Sequence, residues 1–344
     1  MSNLDDTTRK LLTEAQQGIK LSKRPFNDLA EEVGLKETEV IDRLNELKGD
    51  IIRRFGGIFR SGRLGFESIL LAAAVSRDRI KAVAEEINKL SGVTHNYRRS
   101  HDYNLWFTLT VGPESNLETE IKKLEQDLEI EILRLPAVKR YKLGVKLDLR
   151  DEQAGDSLDR ASGKVFVDWG SDRGEVSIKQ DIYRPDRLDK NIIALLQEDI
   201  VLVKKPFKLI ADKCACTEDI VLDRLQKMEA TGTLKRIAPL LYHRRSGYQA
   251  NGMAVWEIDE AEIDKAGYQL ATFKQVSHCY NRPALPPDWP YNLYAMTHAK
   301  SQSELEITVN EMAEKIKNKD YRIIYSLEEF KKSSMKYYSF KGRD

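Results

Sequence analysis

The triplet His95-x-Tyr97-x-Arg99 in the first half of the chain is matched by His278-x-Tyr280-x-Arg282 in the second. Alternate residues of a β-strand share a face. Each triplet therefore offers an imidazole, a phenol and a guanidinium on one side of a strand. Histidine titrates near neutral pH and can give a proton, take one, or ligate iron. Arginine grips carboxylates through paired hydrogen bonds, and aromatic rings stack on flat apolar surfaces. On the first strand the expected shared face is Val93, His95, Tyr97 and Arg99, with Thr94, Asn96 and Arg98 opposite. The next strand adds Asn104, Trp106 and Thr108; its counterpart carries Tyr294. Together these groups suit a large planar polycarboxylate of the tetrapyrrole kind. One strand-edge histidine beside a tyrosine is an ordinary satisfied polar pair. The recurrence in both halves makes His95 and His278 the candidates for chemistry. His101, His243 and His298, on the same hairpins or on a wing, read equally well as structural.

The elements that must position these residues are themselves duplicated. Lys23-Arg-Pro-Phe-Asn-Asp-Leu-Ala30 matches Lys204-Lys-Pro-Phe-Lys-Leu-Ile-Ala211, and Val93-Thr-His-Asn-Tyr97 matches Val276-Ser-His-Cys-Tyr280. The order of matches is the same in both halves, which marks a tandem repeat. In the first half, helices are expected over 8–17, 26–33 and 36–48, with Pro25 at a helix start and Gly34 at its end. Residues 51–60 read as strand–turn–strand with Gly56 and Gly57 at the bend. Three helices and a hairpin describe a winged helix-turn-helix. Strand, helix, two strands, helix and strand follow, the ferredoxin-like order. The expected fold class is α+β: a tandem repeat of winged helix-turn-helix plus ferredoxin-like domain. The expected boundaries are 1–65 and 66–148, a linker at 149–183, then 184–248 and 249–344. Within the Gly-, Ser- and Asp-rich linker, Lys164–Asp168 could form a short strand.

Composition excludes several classes. The 344 residues are 41% hydrophobic and 32% charged with a net charge of +1, so no overall field draws the chain to nucleic acid or membrane. No apolar run reaches the roughly 18 residues that span a bilayer, and the polar, mixed-charge start is no signal peptide. A cytoplasmic protein is expected. Three cysteines, Cys214, Cys216 and Cys279, make no disulfide framework. Cys214 and Cys216 lack a second ligand cluster at zinc-like spacing, so no metal site is assigned.

A helix-turn-helix raises the question of DNA. The first candidate recognition helix sets Lys36, Arg43 and Lys48 against Glu37, Glu39, Asp42 and Glu46. The second sets Arg224 and Lys227 against Glu218, Asp219, Asp223 and Glu229. Both are net acidic, whereas a helix in the major groove must offset phosphate charge. The helices are expected to serve packing instead. Arg60 and Arg63, beside the first wing, need another purpose.

The stretch Gly92-Val-Thr-His-Asn-Tyr-Arg-Arg99 with Asn104-Leu-Trp-Phe-Thr-Leu109 resembles one hallmark of the siroheme decarboxylases. Val276-Ser-His-Cys-Tyr280, Arg282-Pro283 and Asp288-Trp-Pro-Tyr-Asn-Leu293 resemble the other. In that family, relatives of the leucine-responsive (Lrp/AsnC-type) regulators, the two motif types usually sit on separate paired subunits. This chain resembles a fusion of both, as among haem d1 biosynthesis proteins. The second wing departs from the pattern, with Ala238-Pro239 where the first has Gly56-Gly57. The resemblance implies loss of carbon dioxide from the C12 and C18 acetates of siroheme, giving didecarboxysiroheme for haem d1 or an alternative haem b route. It implies His95 or His278 as general acid with a pKa near 7. It also implies Arg60, Arg63, Arg98, Arg99 and Arg282 as carboxylate anchors, and Tyr97, Trp106, Tyr280 and Tyr294 along the macrocycle. His101 and His243 complete the candidate substrate contacts. No cofactor is implied beyond the iron that siroheme carries. Siroheme is the implied partner, with no functional DNA or membrane binding; a homodimer or association with related decarboxylase subunits stays open. Two other readings remain: a DNA-binding regulator sensing haem or another small ligand, and a binding scaffold without chemistry.

Overall fold

Local signals start and stop the first helices. The computed structural model describes residues 4–143, 174–175, 182–241 and 250–341. Asp5 caps α1 (Asp6–Gln17) by accepting from the Thr8 amide at 2.6 Å. Pro25 opens α2 (Pro25–Val33), and Gly34, at φ +78°, ends it in the left-handed conformation that glycine adopts freely. With α3 (Glu37–Glu46) these form the first three-helix unit. The second is α6 (Arg187–Leu196), α7 (Pro206–Cys214) and α8 (Glu218–Ala230). Leu11, Phe26, Val40 and Leu44 from one unit and Ile192, Phe207, Val221 and Leu225 from the other share a single apolar core.

The expected wing hairpins are absent from the described residues. Instead β1 (Ile52–Phe59) runs straight through both glycines and pairs antiparallel with β8 (Leu234–Leu241) of the other half, with Gly56 opposite Ala238. The glycines serve close approach rather than a bend. A Cβ on Gly56 would lie 2.5 Å from the Glu198 carbonyl oxygen and 2.6 Å from that of Leu196. The end of α6 can sit on this strand only because position 56 has no side chain.

The two ferredoxin-like units also merge. The first contributes β2 (Glu67–Ala73), α4 (Ile80–Asn88), β3 (Val93–Arg99), β4 (Leu105–Val111), α5 (Leu117–Leu128), β5 (Ile132–Leu135) and β6 (Lys139–Leu143). After the short β7 (Gly174–Glu175), the second contributes β9 (Ala250–Trp256), α9 (Glu260–Ala271), β10 (Val276–Asn281), β11 (Leu293–Ala299), α10 (Gln302–Ile316) and β12 (Tyr321–Lys332). The strands form one sheet ordered β5-β2-β4-β3-β12-β9-β11-β10-β6-β7. The last strand of each half crosses over. Residues 321–325 of β12 pair with β9, and 326–332 with β3 of the first half. In the first half the same path is split: β5 pairs with β2, Pro136 interrupts the ladder, and β6 pairs with β10 of the second half. Because β5 leads directly into β6, the sheet wraps round on itself.

Helices cover the outside over two cores, one holding Phe107, Leu109 and Ile121, the other Trp256, Leu270 and Met312. A further cluster fills the inside: Ala72, Trp106, Leu133 and Leu135 meet Met253, Val255, Trp289, Tyr294 and Ile324. Among the described residues no helix is long and apolar enough to cross a membrane.

Candidate active site

A bulge sets which side chains face inward. Val93 joins the outer core, and Asn96 donates to Ala84 O and Asn88 Oδ1 on α4, so both point to the helices. The β3–β4 register shifts between them. The expected alternation from Val93 is therefore corrected: the extra bulge residue flips the phase. His95, Tyr97 and Arg99 face the interior, while Val93 does not. The second half repeats the device. Val276 and Cys279 lie in the outer core, the register shifts between Val276 and His278, and His278, Tyr280 and Arg282 turn inward.

Each triplet forms a stack. His95 and Tyr97 rings lie 6.3 Å apart at 29°, with the Arg99 guanidinium 5.5 Å from the Tyr97 centroid. His278 and Tyr280 lie 6.4 Å apart at 18°, with Arg282 at 4.8 Å over Tyr280. Arg99 donates to Ile324 O at 3.3 Å, and Arg282 donates to Leu135 O at the equivalent place. Both arginines are buried and both retain an Nε without a hydrogen-bond partner. Burial pushes Arg99 down to about 10 and lowers Arg282.

The imidazoles are held by hydroxyls. Thr94 Oγ1 lies 3.0 Å from His95 Nδ1, and Ser277 Oγ lies 2.8 Å from His278 Nδ1. Burial, then the Lys332 charge, lowers the His95 pKa against the pull of Glu329. Burial, reinforced by His298, His95, Arg140 and Arg282, presses His278 down to about 3. Burial disfavours imidazolium and holds both histidines below the pKa near 7 expected of the acid. The His95 charge acts on His278, so the two imidazoles share one interior.

Other expected residues fall elsewhere. Trp106 and Tyr294 belong to the inner core, where Trp106 donates to Tyr103 O at 2.7 Å and Tyr294 accepts from Trp289 Nε1 at 2.5 Å. They back the stacks rather than present open faces. Arg98 turns away and pairs with Glu328 at 3.2 Å. His101 accepts from the Tyr103 amide through Nδ1, lies 2.9 Å from Arg322 through Nε2, and packs on Trp289. Arg60 precedes and Arg63 lies within the short 3-10 helix Ser61–Leu64 after β1. His243 and the strand expected at Lys164–Asp168 lie outside the described residues.

Sequence reasoning missed Arg140. It lies opposite Tyr280 in the β6–β10 ladder, 6.0 Å from its ring centroid. At the matching place beside Tyr97 stands Glu329. The strand exchange thus gives the two stacks neighbours of opposite sign. The hydroxyls Thr94 and Ser277 were also missed, although both immediately precede the repeated histidines. The interior combines paired imidazoles, stacked phenols and buried cations, which suits proton delivery to a polyanionic ligand.

Comparison with known proteins agrees in kind. The siroheme decarboxylase NirDL-like HTH domain matches residues 8–53 and 189–234, and the AsnC-like ligand binding domain matches 63–142 and 245–331. The siroheme decarboxylase of Hydrogenobacter thermophilus is 37% identical over 96% of this chain and 94% of its own length. The siroheme decarboxylase alpha subunit of Desulfovibrio desulfuricans is 43% identical, covering 42% of this chain and 84% of the subunit. The crystal structure of the siroheme decarboxylase NirDL in co-complex with an iron-uroporphyrin III analogue superimposes with a TM-score of 0.78 at 30% identity, over 97% of this chain and 95% of that one. With its duplicated histidine strands, its merged halves and this full-length similarity, the chain belongs to the siroheme decarboxylase family.

Proposed function

We propose that this chain is itself a siroheme decarboxylase, a carboxy-lyase that converts the C12 and C18 acetates of siroheme to methyl groups. The observation that carries this reading is the pair of His–Tyr–Arg stacks facing one interior.

The chemistry follows from charge. Breaking the bond between methylene and carboxylate releases carbon dioxide and leaves an electron pair on the methylene carbon. A proton placed first on the conjugated ring lets that pair flow into the macrocycle. The proton then moves to the methylene carbon and completes the methyl group. One proton is consumed per carbon dioxide, with no redox change and no cofactor beyond the substrate's own iron. His95 and His278 give the proton; a positioned acid contributes about 10²–10⁴-fold. The carboxylates of siroheme raise the pKa of both imidazoles on binding, because a nearby anion favours imidazolium. Arg99, Arg140 and Arg282 provide positive potential for the carboxylates that do not react. An arginine clamped on the reacting acetate would stabilise the ground state.

Anaerobic incubation with siroheme and mass spectrometry tests the proposal. The expected result is loss of two carbon dioxide equivalents, and loss of turnover in His95→Ala and His278→Ala with siroheme still bound. Bound but unchanged siroheme in the parent protein would reduce it to a binding protein.

A further inference from the structure

We propose that Ser277 and His298 are positioning residues that form a proton relay to His278, present in the second half only. This deepens the reading of His278 as proton donor and rests on it.

The geometry is a three-membered chain. Ser277 Oγ lies 2.8 Å from His278 Nδ1 and 2.8 Å from His298 Nε2. Its other contact, Met296 O at 3.3 Å, is longer. The bulge after Val276 turns Ser277 to the same side as His278, and His298 comes from the neighbouring strand β11. The first half has the same bulge and the same hydroxyl–imidazole contact, but the hydroxyl's next partner is different. Thr94 Oγ1 reaches Thr108 Oγ1 at 3.1 Å. By the matched register of β4 and β11, Thr110 stands where the second half has His298. The chain therefore ends on a hydroxyl in one half and on a second imidazole in the other.

A hydroxyl between two imidazoles can move a proton without holding a charge. His278 Nε2–H breaks as its proton passes to the substrate. The Ser277 Oγ–H proton passes to His278 Nδ1, and the His298 Nε2–H proton passes to Ser277 Oγ. His298 enters as imidazolium and ends as neutral imidazole, Ser277 is a hydroxyl again, and His278 ends neutral in its other tautomer. No oxidant, reductant or further reactant enters. The groups facing His278 are His298 from β11, His95 from β3, Arg140 from β6 and Arg282 from its own strand, all bases. They hold His278 neutral near pH 7. A neutral imidazole that gave up its Nε2 proton alone would be left as imidazolate, and delivery of a proton to Nδ1 removes that difficulty.

The test uses the full chain under anaerobic conditions, with single-turnover decarboxylation of siroheme and binding followed by absorbance titration. Ser277→Ala and His298→Gln should each slow turnover about 100-fold, the lower end of what positioned acid–base groups contribute, and leave siroheme affinity within about threefold. Ser277→Thr, which restores a hydroxyl as at Thr94, should recover most of the rate. Added imidazole should rescue His298→Ala. In mixed light and heavy water the parent rate should show more than one proton in flight, and Ser277→Ala only one. Should Ser277→Ala disturb folding, His298→Gln and the imidazole rescue decide. Parental rates in Ser277→Ala and His298→Gln, beside an inactive His278→Gln, would overturn the relay and leave the donor role standing. Full activity in His278→Gln would instead remove the donor role beneath it.

Discussion

Among the described residues, no carboxylate pairs with the buried guanidiniums of Arg99 and Arg282; their hydrogen bonds go to carbonyl oxygens, and for Arg99 also to the Met296 sulfur. Burying a charge without an opposite partner is costly. The anions of a bound polycarboxylate would offset that cost. Arg282→Met should therefore weaken siroheme binding about 30- to 4,000-fold, in line with the 2–5 kcal/mol typical of a buried charge partner, read by absorbance titration. Arg98→Gln, which removes a half-exposed pair with Glu328, should change it less than about threefold. Unchanged affinity in Arg282→Met would deny that arginine any part in carboxylate binding. His278 makes a second statement, about stability. Its folded pKa, about 3, lies below the ordinary histidine value of 6.5. Between those values the unfolded chain binds a proton that the folded chain does not, so stability rises with pH across this window. It is fully present above pH 6.5 and lost as pH falls toward 3. The slope from this one site approaches about 1.4 kcal/mol per pH unit. Urea denaturation at pH 5 and pH 7 should show a smaller difference for His278→Gln than for the parent.

The strands that carry these residues were legible in part. Period-2 spacing located both triplets, and the internal repeat made them more than coincidence. It did not reveal the bulge, because Val93 and Val276 look like good members of either face. Only the demand that Asn96 and Cys279 pack on the helices settles the phase. Arg140 was illegible for another reason: its relation to Tyr280 exists only because β6 leaves its own half. Nothing in the local pattern of Lys139–Leu143 names a partner more than 130 residues away. The glycines at 56 and 57 misled, since a bend and a close approach ask for the same residue. At Gly267 of α9 the close approach can be tested. A Cβ there would fall within the Tyr141 ring of β6, whose hydroxyl donates to Asp264 at 2.8 Å, beside Lys139 at 2.6 Å from the same carboxylate. Alanine in an exposed helix interior normally stabilises by about 0.8–1 kcal/mol over glycine. Here Gly267→Ala should instead cost about 1–3 kcal/mol, as overpacking does, seen as a lower urea midpoint. A raised midpoint would mean that β6 does not dock on α9 in this way.

The two halves are joined at every level of the molecule. The helical units share one core, β1 pairs with β8, and β12 and β6 each complete the other half's sheet. Lys48 of the first unit meets Asp199 at 3.0 Å and donates to Ile200 O at 2.9 Å, and Lys23 meets Asp219 on α8 at 2.7 Å. Asp219 of α8 is thus paired with the neighbouring unit, and with both α3 and α8 net acidic, gel shifts at moderate salt should show no specific DNA complex. The same interlocking predicts what happens when the covalent link is cut. The expected linker, 149–183, connects two bodies that already share two sheets and two cores. Severing it removes no described hydrogen bond between the helical units, nor between β12 and β3. It adds the entropy of bringing two chains together, an estimated 4–15 kcal/mol at a 1 M standard state. Obligate interfaces that resemble a domain core cut in half are large and apolar enough to offset such a term. Residues 1–150 and 151–344 made as separate chains in one cell should therefore co-purify as a one-to-one complex and decarboxylate siroheme. Made alone, each should be poorly soluble or self-associated, because its half of the inner cluster around Trp106 and Trp289 would face water. Two well-behaved monomers that mix without binding would show that the exchanged strands do not hold the halves together.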